Sequence, residues 1–510
     1  MKLLGIDVGT GGTRAVVVDE GGAVVASATS EHAPFASPQT GWAEQDARDW
    51  WRAAAEAVRA VLSKQGISAE EIACVGFSGQ MHGATLLDER GEVLRPALIW
   101  CDQRTDAQCR ALTRLVGAER LIELVSNPAL TNFTLTKMLW VREQEPGLWA
   151  RVRTVLLPKD YVRLRLTGER ATDVADASGT LLFDVARRRW SREMLDAVEL
   201  DAGLLPPAFE SPEITGRVSA EGSAATGLRE GTPVVAGAGD QAAGAVGMGI
   251  VRPGAVSATI GTSGVVFAAT DRPALDRGGR VHTFCHAVPG RWHVMGVTQA
   301  AGLSLRWFRD TFGVGGAAAG RDEEDPYDLL SADAATAPPG SDGLLWAPYL
   351  MGERTPHLDP HARAALVGLT ASHTRAHVVR AILEGVAFSL RDTLTIFGEM
   401  DVPVETIRLG GGGARSGVWR QIQADVYGRE VELVEADEGA AYGAALLAGV
   451  GGGAWGSVEE ACAASVRVRE RVAPRAETAR LMDERYEAFR KLYPALRQVN
   501  RRDGAEAQAG

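Results

Sequence analysis

Two aspartates in this sequence stand where a carboxylate can act on a phosphate ester. Asp240 lies in GAGDQAAGAVG (residues 237–247), after an apolar run and at the opening of a small-residue stretch that reads as a helix. A carboxylate at such a strand-to-helix junction is able to take the proton of a substrate hydroxyl while that oxygen attacks the γ-phosphate of a nucleotide. The same position also suits a helix N-cap, which aspartate fills well. Asp7 stands in GIDVGTGGTR (residues 5–14). Its glycines let backbone amides approach a phosphate closely, two hydroxyls add donors, and the acid is a hard oxygen ligand for a magnesium ion or its waters. An ordinary glycine hairpin holding an acid is the competing reading of that stretch.

Flanking elements must position these groups. Leu3, Leu4 and Ile6 run into the glycine turn and Ala15 to Val18 lead back out, which predicts a β-hairpin over residues 2–19. The same plan returns at residues 254–270, GAVSATIGTSGVVFAAT, and two such hairpins a domain's length apart predict two related halves. A third glycine turn, residues 410–413, follows a strand at 407–409 and enters a helix. Two opposed hairpin loops on phosphates, with the third turn under a nucleoside, would form a nucleotide cleft between the halves. A helix is predicted over residues 46–64, where Trp50, Ala54, Val58, Val61 and Leu62 recur at helical spacing before Gly66. Residues 72–83 read as a buried strand and turn, residues 98–105 as a strand ending in polar groups, and 234–236 as a strand. Helices are expected over most of 112–140, over 158–166 and over 376–391, with a polar loop at 321–339.

Composition bounds the function. A chain of 510 residues, 45% hydrophobic and 23% charged, is an ordinary globular protein of two or three domains. Its net charge of -11 offers no basic stripe for a nucleic acid. Five scattered cysteines without a CxxC pair argue against a disulfide framework or zinc site and suit a reducing cytoplasm. Asp7 falls where a signal peptide needs its apolar region. The uncharged run 439–458 is too rich in glycine for a membrane span and reads as a helix followed by a loop. His357 with His361, and His373 with His377, have the spacing of helical metal ligands, but Pro360 interrupts the first pair and no acid lies within the second, so both read as surface or loop histidines. His282, Cys285 and His286 lie on an alternating strand pattern that sends them to different faces.

The segments GIDVGTGGTR, GQMHG, GAGDQAAGAVG, IGTSG, WAPYLMGERTPHLDP, EGVAF and GGGARSGVWRQIQAD, in this order from residue 2 to about 490, resemble the FGGY carbohydrate kinases. QMHGATLLD, LLPKDYVRLRLTGE and FCHAVPGRWHVM are most similar to the branch that phosphorylates xylulose. The resemblance implies an α/β, two-domain actin-like ATPase fold, each domain a ribonuclease-H-like sheet with helices, closing over ATP and a sugar in the interdomain cleft. The implied division is 1–244 (sugar site, first phosphate loop, base), 245–495 (second phosphate loop, adenosine site) and a disordered tail, 496–510. It implies ATP as phosphoryl donor, Mg2+ as metal, and a homodimer as the assembly.

Carried over by position, Asp240 matches the catalytic base and Asp7 the aspartate that organises magnesium and phosphate. Met81 and His82 match the pair that contacts the sugar, with Trp100, Asp102 and Gln241 beside it. Thr10, Thr13 and Arg14 fall on the first phosphate loop, Gly261, Thr262 and Ser263 on the second. Gly302 and Arg306 fall where the family contacts nucleotide, and Gly412 and Ser416 on the adenosine turn. Gln241 replaces an asparagine of the xylulose branch and gives an Asp-Gln pair similar to that of glycerol kinases, so ribulose, glycerol and gluconate stay open as substrates. Arg14 stands where some of that branch have lysine, keeping charge and changing its geometry. A non-catalytic sugar sensor on the same fold would have no use for Asp240 beside intact phosphate loops.

Overall fold

The computed structural model describes residues 1–64, 66–313, 325–436 and 438–500. The first hairpin is β1 (Lys2–Val8) with β2 (Gly12–Asp19), Asp7 facing Arg14 and Val8 facing Thr13. Gly9 N donates to Gly12 O at 3.0 Å and closes the turn. β3 (Val24–Glu31) continues the sheet. α1 (Ala47–Leu62) begins after Asp46, whose side chain accepts from Arg48 N at 2.9 Å. It lays Trp50, Ala54, Val58 and Val61 on β2 and β3, all of them buried. β4 (Ile72–Gly79) runs parallel to β1 and sets Ser78 opposite Asp7. β5 (Ile214–Arg217), β6 (Pro233–Val235) and the short β7 (Ala238–Gly239) complete a seven-stranded sheet of order β5-β6-β4-β1-β2-β3, with β7 also paired to β4. β7 runs directly into α3, preceded in the chain by α2 (Pro158–Thr167); α3 spans Asp240–Gly247.

The second half repeats the plan. β8 (Gly254–Ile260) and β9 (Gly264–Thr270) form the second hairpin. β10 (His282–Cys285) and β11 (Trp292–Thr298) lie outside it, followed by α4 (Gly302–Phe312) and the long α5 (Arg375–Glu399). β12 (Val404–Gly411) runs parallel to β8 as β4 does to β1, then come α6 (Gly417–Tyr427), β13 (Val431–Val434), α7 (Gly439–Gly451) and β14 (Val468–Val472). The second sheet has the order β10-β11-β9-β8-β12-β13-β14. A hairpin with a parallel strand beside its first arm is thus the repeated unit.

One element crosses the sequence division. α7 belongs to the second half by position, yet it packs on β1 and β4 and against α3. Close approach of backbones makes this possible: a Cβ on Gly443 would lie 1.8 Å from Ala243 O in α3, and one on Gly5 of β1 would lie 1.9 Å from Ala441 O. The division at 244/245 is therefore a division of the chain, and the packing of residues 439–451 does not follow it.

Other expectations need correction. Strand pairing at 98–105 stops at Ala97–Leu98, because the residues beyond bend around the buried Asp102 carboxylate. Within 321–339 a helix spans Pro326–Thr336; Asp325 caps it and Pro326, at its first position, starts the helix where a proline farther in would break it. Residues 321–324 lie outside the described residues. The helix Leu492–Asn500 occupies the first part of the expected tail, and 501–510 lie outside the described residues. His282, Cys285 and His286 are all buried, since helices of the first half cover the outer face of β10. His377 caps α5 through Thr374, and His357 stacks on Tyr493 at 3.5 Å. No described helix is long and apolar enough to cross a membrane, and no described cluster of His, Cys, Asp and Glu could hold a metal ion by itself.

Candidate active site

Asp7 and Asp240 reach one cleft from different elements. Asp7 ends β1, and Asp240 is the first residue of α3; the cap position is Gly239. Asp240 therefore does not cap the helix. Its Oδ1 has a long contact, 3.4 Å, with Gln241 Nε2. Asp7, Asp240 and Gln241 line one side of an open cleft of about 410 Å³, and Thr259, Gly410 and Gly411 line the other. Burial, reinforced by the charge of Asp7, raises the Asp240 carboxyl to about 7. Burial also raises Asp7, against the pull of Ser78 and Arg14. Asp7 Oδ1 is buried without a hydrogen-bond partner, a donor set that fits a hard cation.

The pair Met81 and His82 follows β4, both largely buried, with His82 in the left-handed region at φ 67°. His82 Nδ1 lies 2.8 Å from Gly179 O, and burial drives the ring down to about 3, so it is neutral. A neutral ring bonded to a carbonyl carries its proton on Nδ1, which leaves Nε2 an acceptor. Phe133 meets this ring edge-on at 5.0 Å. A Cβ on Gly239 would lie 2.8 Å from Met81 Cγ, so the residue before Asp240 is pressed against Met81. Trp100 Nε1 donates to Thr10 Oγ1 at 2.9 Å and ties that side to the first hairpin.

Two predicted residues, Asp102 and Thr13, are spent on the framework. Asp102 is fully buried, accepting from Ala43 N at 2.7 Å and ion-paired with Arg104, so its carboxylate is committed to the framework. Thr13 is fully buried with Oγ1 2.9 Å from His32 Nε2. Arg14 is on the hairpin but forms an ion pair with Glu438, just before α7. Gly261, Thr262 and Ser263 form the tip of the second hairpin and dock on α4: Gly302 N donates to Gly261 O at 2.8 Å and Leu303 N to Thr262 O at 3.1 Å. Arg306 is exposed one turn along α4, whose N-terminus adds its dipole to this loop. Gly412 is in a tight turn, and Ser416 caps α6 by accepting from Trp419 N at 3.2 Å.

Two buried features escape sequence reasoning. Lys137, fully buried and driven down to about 7 by burial, donates to His82 O at 3.0 Å and to Asn132 O, pinning the strained turn. Lys159 is enclosed by Asp160 at 2.5 Å, Asp173 at 2.6 Å and Asp176 at 3.7 Å, behind Gly239. The signal for the second was a Lys-Asp pair set among apolar residues at 156–166, where a solvated face has no place.

Residues 2–247 match the FGGY family of carbohydrate kinases, N-terminal domain, and residues 256–452 its C-terminal domain. The chain is 38% identical over 498 residues to the xylulose kinase of Bacillus subtilis, covering 98% of each, and 39% identical over 494 residues to that of Escherichia coli, covering 97% of this chain and 99% of the other. The crystal structure of xylulose kinase from Rhodospirillum rubrum superposes with a TM-score of 0.90 at 32% identity, covering 98% of this chain and all of the other. The repeated halves are those of the two-domain actin-like ATPase fold, and the chain is a carbohydrate kinase that belongs to the FGGY family.

Proposed function

We propose that the chain transfers the γ-phosphoryl group of ATP to the 5-hydroxyl of D-xylulose, with Asp240 as general base. The observation that carries this reading is Asp240 itself: it stands in the cleft beside Asp7, unspent on helix capping, with its carboxyl raised to about 7. A proton acceptor of that strength is matched to neutral pH. The names of the relatives support xylulose as acceptor, and Gln241 keeps ribulose, glycerol and gluconate as alternatives for the same chemistry.

Each residue has a task. His82 accepts a sugar hydroxyl at Nε2 while Nδ1 stays bound to Gly179 O, and Met81, Trp100 and Gln241 complete the acceptor site. Thr10 and Arg14 on one hairpin, and Gly261, Thr262 and Ser263 on the other, hold the triphosphate. Gly302 and Arg306 extend that second loop, and Gly412 and Ser416 lie under the adenosine. Asp7 would hold Mg2+, which when bound neutralises charge on the triphosphate. Asp240 removes the proton of the attacking hydroxyl, and fixed position and charge supply most of the rate. Thr13 and Asp102 serve by holding His32 and Arg104 in place. The same reading puts the enzyme, with its free cysteines, in the cytoplasm and makes it a homodimer.

ADP release over a panel of xylulose, ribulose, glycerol, gluconate and no sugar tests the substrate. Turnover with xylulose no higher than the blank, alongside turnover with another polyol, refutes xylulose and leaves the kinase.

A further inference from the structure

The turn of the first hairpin is held from behind by side chains that the reaction above does not use. Its carbonyl oxygens are claimed one after another: Gln80 Nε2 donates to Gly9 O at 3.3 Å, Gln45 Nε2 to Thr10 O at 2.8 Å, His32 N to Gly11 O at 3.0 Å and Gly9 N to Gly12 O at 3.0 Å. Gln45 stands two residues before α1, and Gln80 follows β4, where its own N donates to Val8 O at 2.9 Å. Both glutamine side chains are buried. Among the described residues, Thr10 N and Gly11 N donate to no protein group.

The direction of each amide is fixed by its partners. The indole of Trp50 can only donate, and its Nε1 lies 3.1 Å from Gln45 Oε1, so Gln45 turns its NH2 to Thr10 O. The same Oε1 accepts from Gln80 Nε2 at 2.9 Å. Gln80 therefore shares its NH2 with Gly9 O and keeps its Oε1 as an acceptor, 3.4 Å from Thr10 Oγ1. A trans peptide is planar, with its C=O and N–H pointing in opposite directions. Drawing Gly9 O and Thr10 O inward thus turns the N–H of Thr10 and of Gly11 outward. Successive N–H groups turned out of a glycine turn make a concave seat for an anion, which carbonyl oxygens in their place would repel.

We propose that Gln45 and Gln80 are positioning residues for phosphoryl transfer, turning the N–H groups of Thr10 and Gly11 toward the triphosphate. This rests on the reading of the first hairpin as a phosphate loop. The pair also joins that loop to the acceptor side, because Gln80 directly precedes Met81 and His82, and Trp100 Nε1 donates to Thr10 Oγ1 at 2.9 Å. Their amides bond the turn, each other and Trp50, so their loss is felt at ATP before it is felt at the sugar.

The test measures the KM of ATP and of D-xylulose, or of whichever polyol turns over, by coupled ADP release in wild type, Gln45→Met, Gln45→Glu, Gln80→Met and Gly11→Leu. Gln45→Met and Gln80→Met are expected to raise the ATP KM about fivefold or more, the scale of one hydrogen bond lost, and to leave the sugar KM within about twofold. Gln45→Glu still accepts from Trp50 and Gln80 but sets a carboxylate oxygen against Thr10 O, so it should raise the ATP KM as far. Should Gln45→Met not fold, Gln45→Glu decides. A smaller rise in the ATP KM of the glutamine variants overturns the proposal, and so does a sugar KM that rises as much as that of ATP, because the effect is then a general loss of structure. Gly11→Leu checks the loop itself: a Cβ there meets nothing within 4 Å, so the side chain stands at the exposed tip without disturbing the fold. An ATP KM unmoved by Gly11→Leu refutes the phosphate-loop reading and the proposal together; one that Gly11→Leu raises and the glutamine variants do not refutes the assignment alone.

Discussion

Replacing Asp240 by asparagine separates catalysis from stability, because the two effects of this change have opposite signs. Burial and Asp7 raise this carboxyl from 3.8 to about 7, so the folded chain keeps a proton through a window in which the unfolded chain has released it. The stability it contributes falls as pH rises through that window, and above it the ionised group costs up to about 4 kcal/mol. Part of that cost is repulsion shared with Asp7, so the nearly isosteric amide recovers on the order of 1–2 kcal/mol at pH 8. At roughly 2–4 °C per kcal/mol for a domain of this size, Tm at pH 8 is expected to rise by a few degrees. Loss of the base is expected to cut kcat by about 10²–10⁴, or about 3–5 kcal/mol of barrier. Coupled ADP-release kinetics, calorimetric titration with ATP and scanning calorimetry are the assays. Wild-type kcat/KM for sugar should fall about tenfold per pH unit below about 7, following protonation of this group. Turnover of the variant within tenfold of wild type refutes the assignment of the base. Lost turnover with a lowered Tm or lost ATP binding refutes the reasoning differently, by making the defect structural.

His82→Ala should raise the sugar KM roughly 10–100-fold through a lost buried hydrogen bond, with the ATP KM unmoved. Because the ring is driven down to about 3, wild type should show no inflection in sugar KM near 6.5 that disappears in this variant; such an inflection contradicts a neutral His82. Trp50→Ala should cost about 3–5 kcal/mol, read as a lower urea midpoint, since Trp50 is fully buried between α1 and the first sheet. Gly443→Val should drive α7 from α3, where a Cβ would stand 1.8 Å from Ala243 O, and displace Asp240 at the head of α3; wild-type Tm and kcat in that variant would contradict the packing.

Local signals carried much of this molecule. Alternating apolar residues and glycine turns predict both hairpins, and the capped periodicity of residues 46–64 predicts α1, because strand and helix periods are written in neighbouring residues. Asp240 was visible at a strand-to-helix junction, but whether it was a cap or a free acid depended on one residue of helix register, and that was settled when Gly239 took the cap position. Pro326 misled because proline at the first helical position looks the same in sequence as a loop proline.

What the sequence determined by itself was the set of short-range patterns: two repeated hairpins, an acid at the tip of one and an acid before the other, and the order of motifs that marks the family. Which polar groups are free and which are spent was decided by tertiary structure. Thr13 and Asp102 have the right types at the right turns, yet His32 and Arg104, distant or merely adjacent in sequence, claim them. Lys159 and its three aspartates, and the glycine contact that seats α7 on the first sheet, are likewise products of folding. Hydrogen-bond partners and burial depend on contacts between residues hundreds of positions apart, and a carboxylate's proton affinity follows from those contacts.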